Sequence, residues 1–153
     1  MKTSKMSLCF AILMLLMVVA PAHAKQLCFQ LFPGALGTAA PVYLLTEIPT
    51  GDGNFLLSGK SSSELPFPPF AVTEAVVTGG GGLFGEMIEI SLDEKRIDGS
   101  DLLIKQVHMV VDPETQGGTY GSVLTTYPTD GNPSTTITQS GTVDLFKCST
   151  LKQ

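Results

Sequence analysis

Past the first two dozen residues, short runs of β-branched, aromatic and aliphatic residues alternate with clusters of Gly, Pro, Asp, Asn and Ser. That is the pattern of strands separated by turns, and no segment sustains a helical periodicity. It predicts eight strands, over Gln26–Phe32, Pro41–Thr46, Asn54–Ser58, Phe70–Thr78, Leu83–Leu92, Asp101–Asp112, Gly118–Tyr127 and Ser134–Cys148, the last interrupted at Gly141. The intervening segments include Pro33-Gly34, Gly51-Asp52-Gly53, Gly79 to Gly82, Asp98-Gly99, Asp112-Pro113 and Asp130-Gly131-Asn132-Pro133, each with turn chemistry of its own. Most are short enough for hairpins, which generate a meander. A meander of eight strands removes its exposed edges by pairing its first strand with its last, so the expected fold is all-β, an eight-stranded antiparallel up-and-down barrel. The rival arrangement is a two-sheet β-sandwich.

The N-terminal stretch has a different pattern. Lys2 and Lys5 precede an unbroken apolar run, Leu8 to Ala20, closed by Pro21 and Ala22-His23-Ala24. Charge, apolar run and small-residue site make a signal peptide over residues 1–24, leaving residues 25–153 as a single domain without a membrane anchor. The run is too short for a spanning helix, which needs about 20 residues. Export to the periplasm or the extracellular space is the expectation. After cleavage seven basic residues face fourteen acidic ones, a net charge of −7 with the remaining His108 neutral. That sign opposes the basic footprint required by phosphate backbones and argues against nucleic acid as a partner.

Cleavage also discards Cys9 and leaves Cys28 and Cys148 near the two ends of the mature chain. Exported proteins occupy compartments where disulfides persist, so these two are expected to pair. Closing so long a loop is worth about 4 to 5 kcal/mol in the chain-entropy model. Cys28 falls on the strand face opposite Leu27, Phe29 and Leu31, and Cys148 on the face opposite Val143 and Leu145. Two cysteines outside the core can bridge only if the first and last strands are neighbours, which favours the barrel.

Several strands lack a clean polar side. Ile88 and Ile90 alternate in phase with Phe84 and Glu86; Leu102, Ile104, Gln106 and His108 oppose Leu103, Lys105, Val107 and Met109. Either the barrel has a partly polar interior and an apolar outside that packs on a second copy as a homo-oligomer, or the polar groups mark strand ends in a monomer.

One mature histidine, no tryptophan and no spare thiol leave few catalytic constellations. No Gly-x-Ser-x-Gly elbow presents a serine to His108. His108 with carboxylates is a poor zinc set, and the acidic stretch Asp93-Glu94, Asp98-Gly99 and Asp101 lacks EF-hand spacing and reads as a solvated hairpin tip balanced by Lys95 and Arg96. Gly79 to Gly82 has neither the lysine nor the following helix of a phosphate cradle and reads as a flexible hairpin loop. No metal or cofactor is expected. His108, mid-strand in an apolar run with Gln106 two positions away on the same face, is the residue whose burial would matter most. Glu86, between Phe84 and Ile88, is the acid expected to share an interior with it. Tyr43 and Tyr120 add apolar rings with polar tips.

The outline of a small exported eight-stranded barrel resembles lipocalins and avidin-like proteins, whose signatures rest on tryptophan that this chain lacks. It is similar in strand count to barrels of the dirigent and allene oxide cyclase type. Architecture alone does not carry function. The leading expectation is a non-enzymatic barrel that binds a small, mainly apolar molecule, with Tyr43, Phe84, Glu86, Gln106, His108 and Tyr120 lining the site. The alternatives are a barrel isomerase or cyclase using Glu86 or His108 for proton transfer, and an envelope or extracellular interaction module.

Overall fold

A computed structural model describes residues 24–34, 40–62 and 75–149. The expected signal peptide, apart from Ala24, and the start of the strand anticipated at Phe70 lie outside the described residues.

Eight strands, β1 (Lys25–Pro33), β2 (Val42–Gly51), β3 (Asn54–Ser62), β4 (Ala75–Phe84), β5 (Met87–Asp98), β6 (Asp101–Asp112), β7 (Gly117–Tyr127) and β8 (Thr135–Phe146), pair in sequence order. All pairs are antiparallel, and β1 against β8 closes the barrel. The sandwich alternative is thereby excluded. Both described chain ends and the β2–β3, β4–β5 and β6–β7 turns lie at one rim, here the terminal rim; the β5–β6 and β7–β8 connections lie at the other, the distal rim. The β4–β5 and β5–β6 hairpins turn on Gly85-Glu86 and Gly99-Ser100, and the leading glycine of each has positive φ, 63° and 62°. Glycine adopts that conformation without a Cβ penalty at the first position of a tight hairpin.

Alternation decides the core. Phe29 and Leu31 of β1, Tyr43 and Leu45 of β2, Leu57 of β3, Val77 of β4, Ile90 and Leu92 of β5, Val107, Met109 and Val111 of β6, Tyr120 of β7 and Val143 of β8 form one buried cluster inside the barrel. Each large aliphatic or aromatic side chain buried there contributes about 1.5–3 kcal/mol of transfer free energy. Phe29 and Tyr43 stack with ring centroids 4.7 Å apart. Outward positions include Glu89, Ser91, Asp93, Lys95, Gln106, His108 and Thr138, all exposed. Between them on the outer face stand exposed apolar side chains, among them Leu56, Val76 and Ile97, so the exterior mixes polar and apolar positions.

Two sequence expectations are corrected. Gly79 to Gly82 is not a hairpin loop but the second half of β4, paired with Leu57–Asn54 of β3 and Leu92–Glu89 of β5. The neighbours occupy the space that side chains would need: a Cβ on Gly79 would meet the Ser91 carbonyl oxygen and Leu92, and one on Gly81 would meet the Glu89 carbonyl oxygen and the Phe55 ring. Glycines here let adjacent backbones and one aromatic ring close the barrel wall. Similarly, Asp93 and Glu94 are not a hairpin tip, because β5 runs on to Asp98 with Glu94 paired to Lys105 of β6.

Cys28 and Cys148 form a disulfide with Cα atoms 5.3 Å apart, spanning 120 residues. Cys28 sits opposite Phe146 in the β1–β8 register, and Cys148 lies just beyond the end of β8. The bridge therefore reinforces the seam at which the barrel closes, and a disulfide of this kind fits an oxidising, exported compartment.

Candidate functional site

Inward positions change character along the barrel axis. From the terminal rim to mid-barrel, Ile88, Ile90 and Leu92 of β5 and Val111, Met109 and Val107 of β6 fill the lumen. One residue pair further toward the distal rim, the same alternation brings in Glu94 and Lys105, cross-strand partners. Tyr43 of β2 reaches them from across the lumen. Its hydroxyl donates to Glu94 Oε2 at 2.6 Å and accepts from Lys105 Nζ at 3.4 Å. The ammonium also lies 6.0 Å from the Tyr43 ring centroid, at the limit of a cation–π contact. Phenol to carboxylate is a charge-assisted bond, stronger than one between neutral groups.

This setting moves two proton affinities. Burial, reinforced by the Glu94 charge and its hydrogen bond, pushes the Tyr43 phenol well above its usual range, so it stays protonated. Burial holds the Lys105 amine below the ordinary lysine value against the raising influence of Glu94, and the nearby Arg96 charge lowers it further. Lys105 is nevertheless only half-buried. The inward residues beside and beyond it on the same faces, Leu103 of β6 and Leu124 and Thr126 of β7, are also only half-buried. The distal part of the lumen is thus a rim of partly exposed apolar and polar side chains above a packed floor.

Of the residues singled out from sequence, Tyr43 and Tyr120 are lumen residues, with exposures of 0% and 5%. Burial also raises the Tyr120 hydroxyl from its ordinary value. The other four lie outside. Phe84 is 73% exposed at the end of β4. Glu86 is an exposed turn residue, not a mid-strand acid, because the hairpin tightens around Gly85. Gln106 and His108 take the outer face of β6, since the opposite parity carries Val107 and Met109 into the core. Glu86 precedes Ser91, the cross-strand partner of His108, by five residues. At about 3.3 Å per residue the two lie roughly 16 Å apart along the wall, so they do not form the anticipated proton-transfer pair.

Gln106 and His108 do share an external groove of about 550 Å³, lined by Ser91, Asp93, Val123 and Thr138 among others. Its floor opens at Gly121, the β7 partner of His108, where no atom lies within 4 Å of the absent side chain. Gln106 donates to Asp93 Oδ1 at 3.2 Å across the β5–β6 pair. Among the described residues, no group of three or more His, Cys, Asp or Glu is placed to hold a metal.

Sequence reasoning missed Glu94 and Lys105 as a pair. The signal was present: Lys105 alternates in phase with Leu103, Val107 and Met109, and Glu94 with Ile88, Ile90 and Leu92. A charge in phase with an apolar face is a buried-polar candidate. The chain matches no family model, no curated protein and no solved structure.

Proposed function

We propose that the protein is an exported, non-enzymatic barrel that binds a small molecule with an apolar body and a polar, acceptor-bearing head at the distal mouth of its lumen. The observation that carries this reading is the Tyr43, Glu94 and Lys105 cluster, set at the base of a partly exposed inner rim that includes Leu103 and Leu124. An ammonium and a phenol fix the head while aliphatic side chains cover the body, the mixture typical of small-ligand sites. The packed centre of the lumen limits the ligand to the mouth rather than the full depth of the barrel. The enzyme reading loses its motivation with Glu86 and His108 far apart on the exterior.

The test uses 1-anilinonaphthalene-8-sulfonate, an apolar body with an anionic head, titrated against the folded, oxidised protein. Replacing Lys105 with Met is expected to weaken binding by about tenfold, the equivalent of one lost charge-assisted contact of ~1.4 kcal/mol. His108→Ala should leave it unchanged. The opposite ranking would move the site to the external groove, and saturable binding absent altogether would end the proposal.

A further inference from the structure

The Lys105 cluster is chemically more specific than a charged anchor. A lysine amine is a nucleophile only when neutral, and proteins arrange this by withdrawing it from water or placing positive charge nearby. Lys105 meets both conditions: it projects into the lumen from β6, and Arg96 lies on the inward face of β5 two residues beyond Glu94. The charged and titratable groups that face it are Glu94 and Arg96 on β5 and Tyr43 on β2, while its β7 partner is the uncharged Leu124. Tyr43 Oη, 3.4 Å from the nitrogen, is held by Glu94 at 2.6 Å and keeps its proton, so an acid and a proton relay stand beside the amine.

The geometry points to Lys105 as a carbonyl-capturing residue that forms an imine with an aldehyde or ketone seated at the distal mouth. In the first step the amine nitrogen bonds to the carbonyl carbon, the carbon–oxygen π pair moves to oxygen, and the nitrogen's proton passes by way of Tyr43 to that oxygen. In the second, the carbinolamine nitrogen gives up its remaining proton, the hydroxyl takes up a proton and leaves as water, and the carbon–nitrogen double bond forms. The sum is one amine and one carbonyl giving one imine and one water, without an oxidant or reductant. Tyr43 is a positioning and proton-transfer residue in this scheme, and Glu94 acts through it. This inference deepens the ligand-binding proposal and rests on it.

The test exposes the oxidised protein at pH 7 to octanal with sodium cyanoborohydride, which reduces imines to stable secondary amines, and maps the modified lysines by mass spectrometry. Lys95, outward and exposed on β5, is the control within the same sample. Lys105 is expected to be modified at least about tenfold faster than Lys95, a threshold set below the roughly hundredfold or more that a positioned proton donor contributes. Tyr43→Phe should slow Lys105 by a similar factor and leave Lys95 unchanged, with Tyr120→Phe as a second lumen variant that should slow neither. 1-Octanol, which has the same body and no carbonyl, should protect Lys105 without reacting. Equal modification of Lys105 and Lys95 with anilinonaphthalene sulfonate binding intact would overturn imine formation and leave ligand binding standing. Equal modification with no binding of that probe would overturn both.

Discussion

Tyr43 joins the apolar and polar halves of the lumen. Its ring stacks on Phe29 while its hydroxyl satisfies Glu94, so one side chain covers a buried face and neutralises the main cost of an inward carboxylate. Tyr43→Phe retains the ring and removes only the oxygen. Losing a bond to a charged acceptor is expected to destabilise the protein by about 1–3 kcal/mol, read from urea unfolding monitored by circular dichroism. The same residue sets an alkaline limit. An unfolded tyrosine ionises near pH 10. The folded phenol titrates well above that, so from about pH 10 upward the unfolded state binds fewer protons and stability falls as pH rises. Lys105 acts in the opposite sense below its unfolded value. Its folded amine loses a proton first, so stability rises with pH across the interval between its folded and unfolded titrations and levels off above it. Unfolding curves between pH 8 and 12 should therefore show a falling alkaline limb in the native protein and a shallower one in Tyr43→Phe; parallel limbs would contradict the assignment. At this scale the sequence was half legible. Period-two parity sorts β6 into two faces, but both carry apolar and polar residues. His108 stood out because it is rare in the chain, whereas Lys105, on the face with Val107 and Met109, is the residue the fold turns inward.

Among the elements, β4 shows why composition misleads. Four consecutive glycines signal a loop because glycine adds unfolded-state entropy and packs no side chain. In this barrel the absent side chains are what the neighbours require, since the Phe55 ring fills the place beside Gly81 and the β5 backbone presses against Gly79. The true turn follows at Gly85, so β4 and β5 lie further along the chain than the glycine signal suggests, and Glu86 moves from a strand face to a hairpin tip. Strands without a competing signal, such as β6, match the sequence reading at both ends. Gly79→Ala is expected to cost about 1–3 kcal/mol from overpacking against Ser91 and Leu92. Gly121→Ala, with open space around its position and no positive φ, should stay within about 0.5 kcal/mol of the native protein. Thermal unfolding of the pair separates the two roles, and equal shifts would mean that glycine flexibility alone, rather than close approach, explains the run in β4.

For the whole molecule, the decisive join is the one most distant in sequence. β1 and β8 pair from Cys28 opposite Phe146 to Pro33 opposite Gly141, and the disulfide sits at the terminal-rim end of that seam. Contacts between the two ends of a chain are reached only after a large loop-closure entropy has been overcome, so this seam is the part of the fold with least local support. A covalent bond across 120 residues removes most of that entropy from the unfolded ensemble, by about 5 kcal/mol in the chain-entropy model. Cysteine position and strand parity together made this join legible in the sequence, because a bridge between non-core positions demands neighbouring strands. If the bridge acts through the unfolded chain, Cys28→Ala/Cys148→Ala should retain the native near-ultraviolet circular dichroism in buffer. Its urea midpoint should fall by an amount corresponding to several kcal/mol, and its m-value should rise as the unfolded state expands. If β1 and β8 instead depend on the bridge to pair at all, the double variant will lose its tertiary signal without denaturant, and the backbone register of the seam could no longer be regarded as self-sufficient.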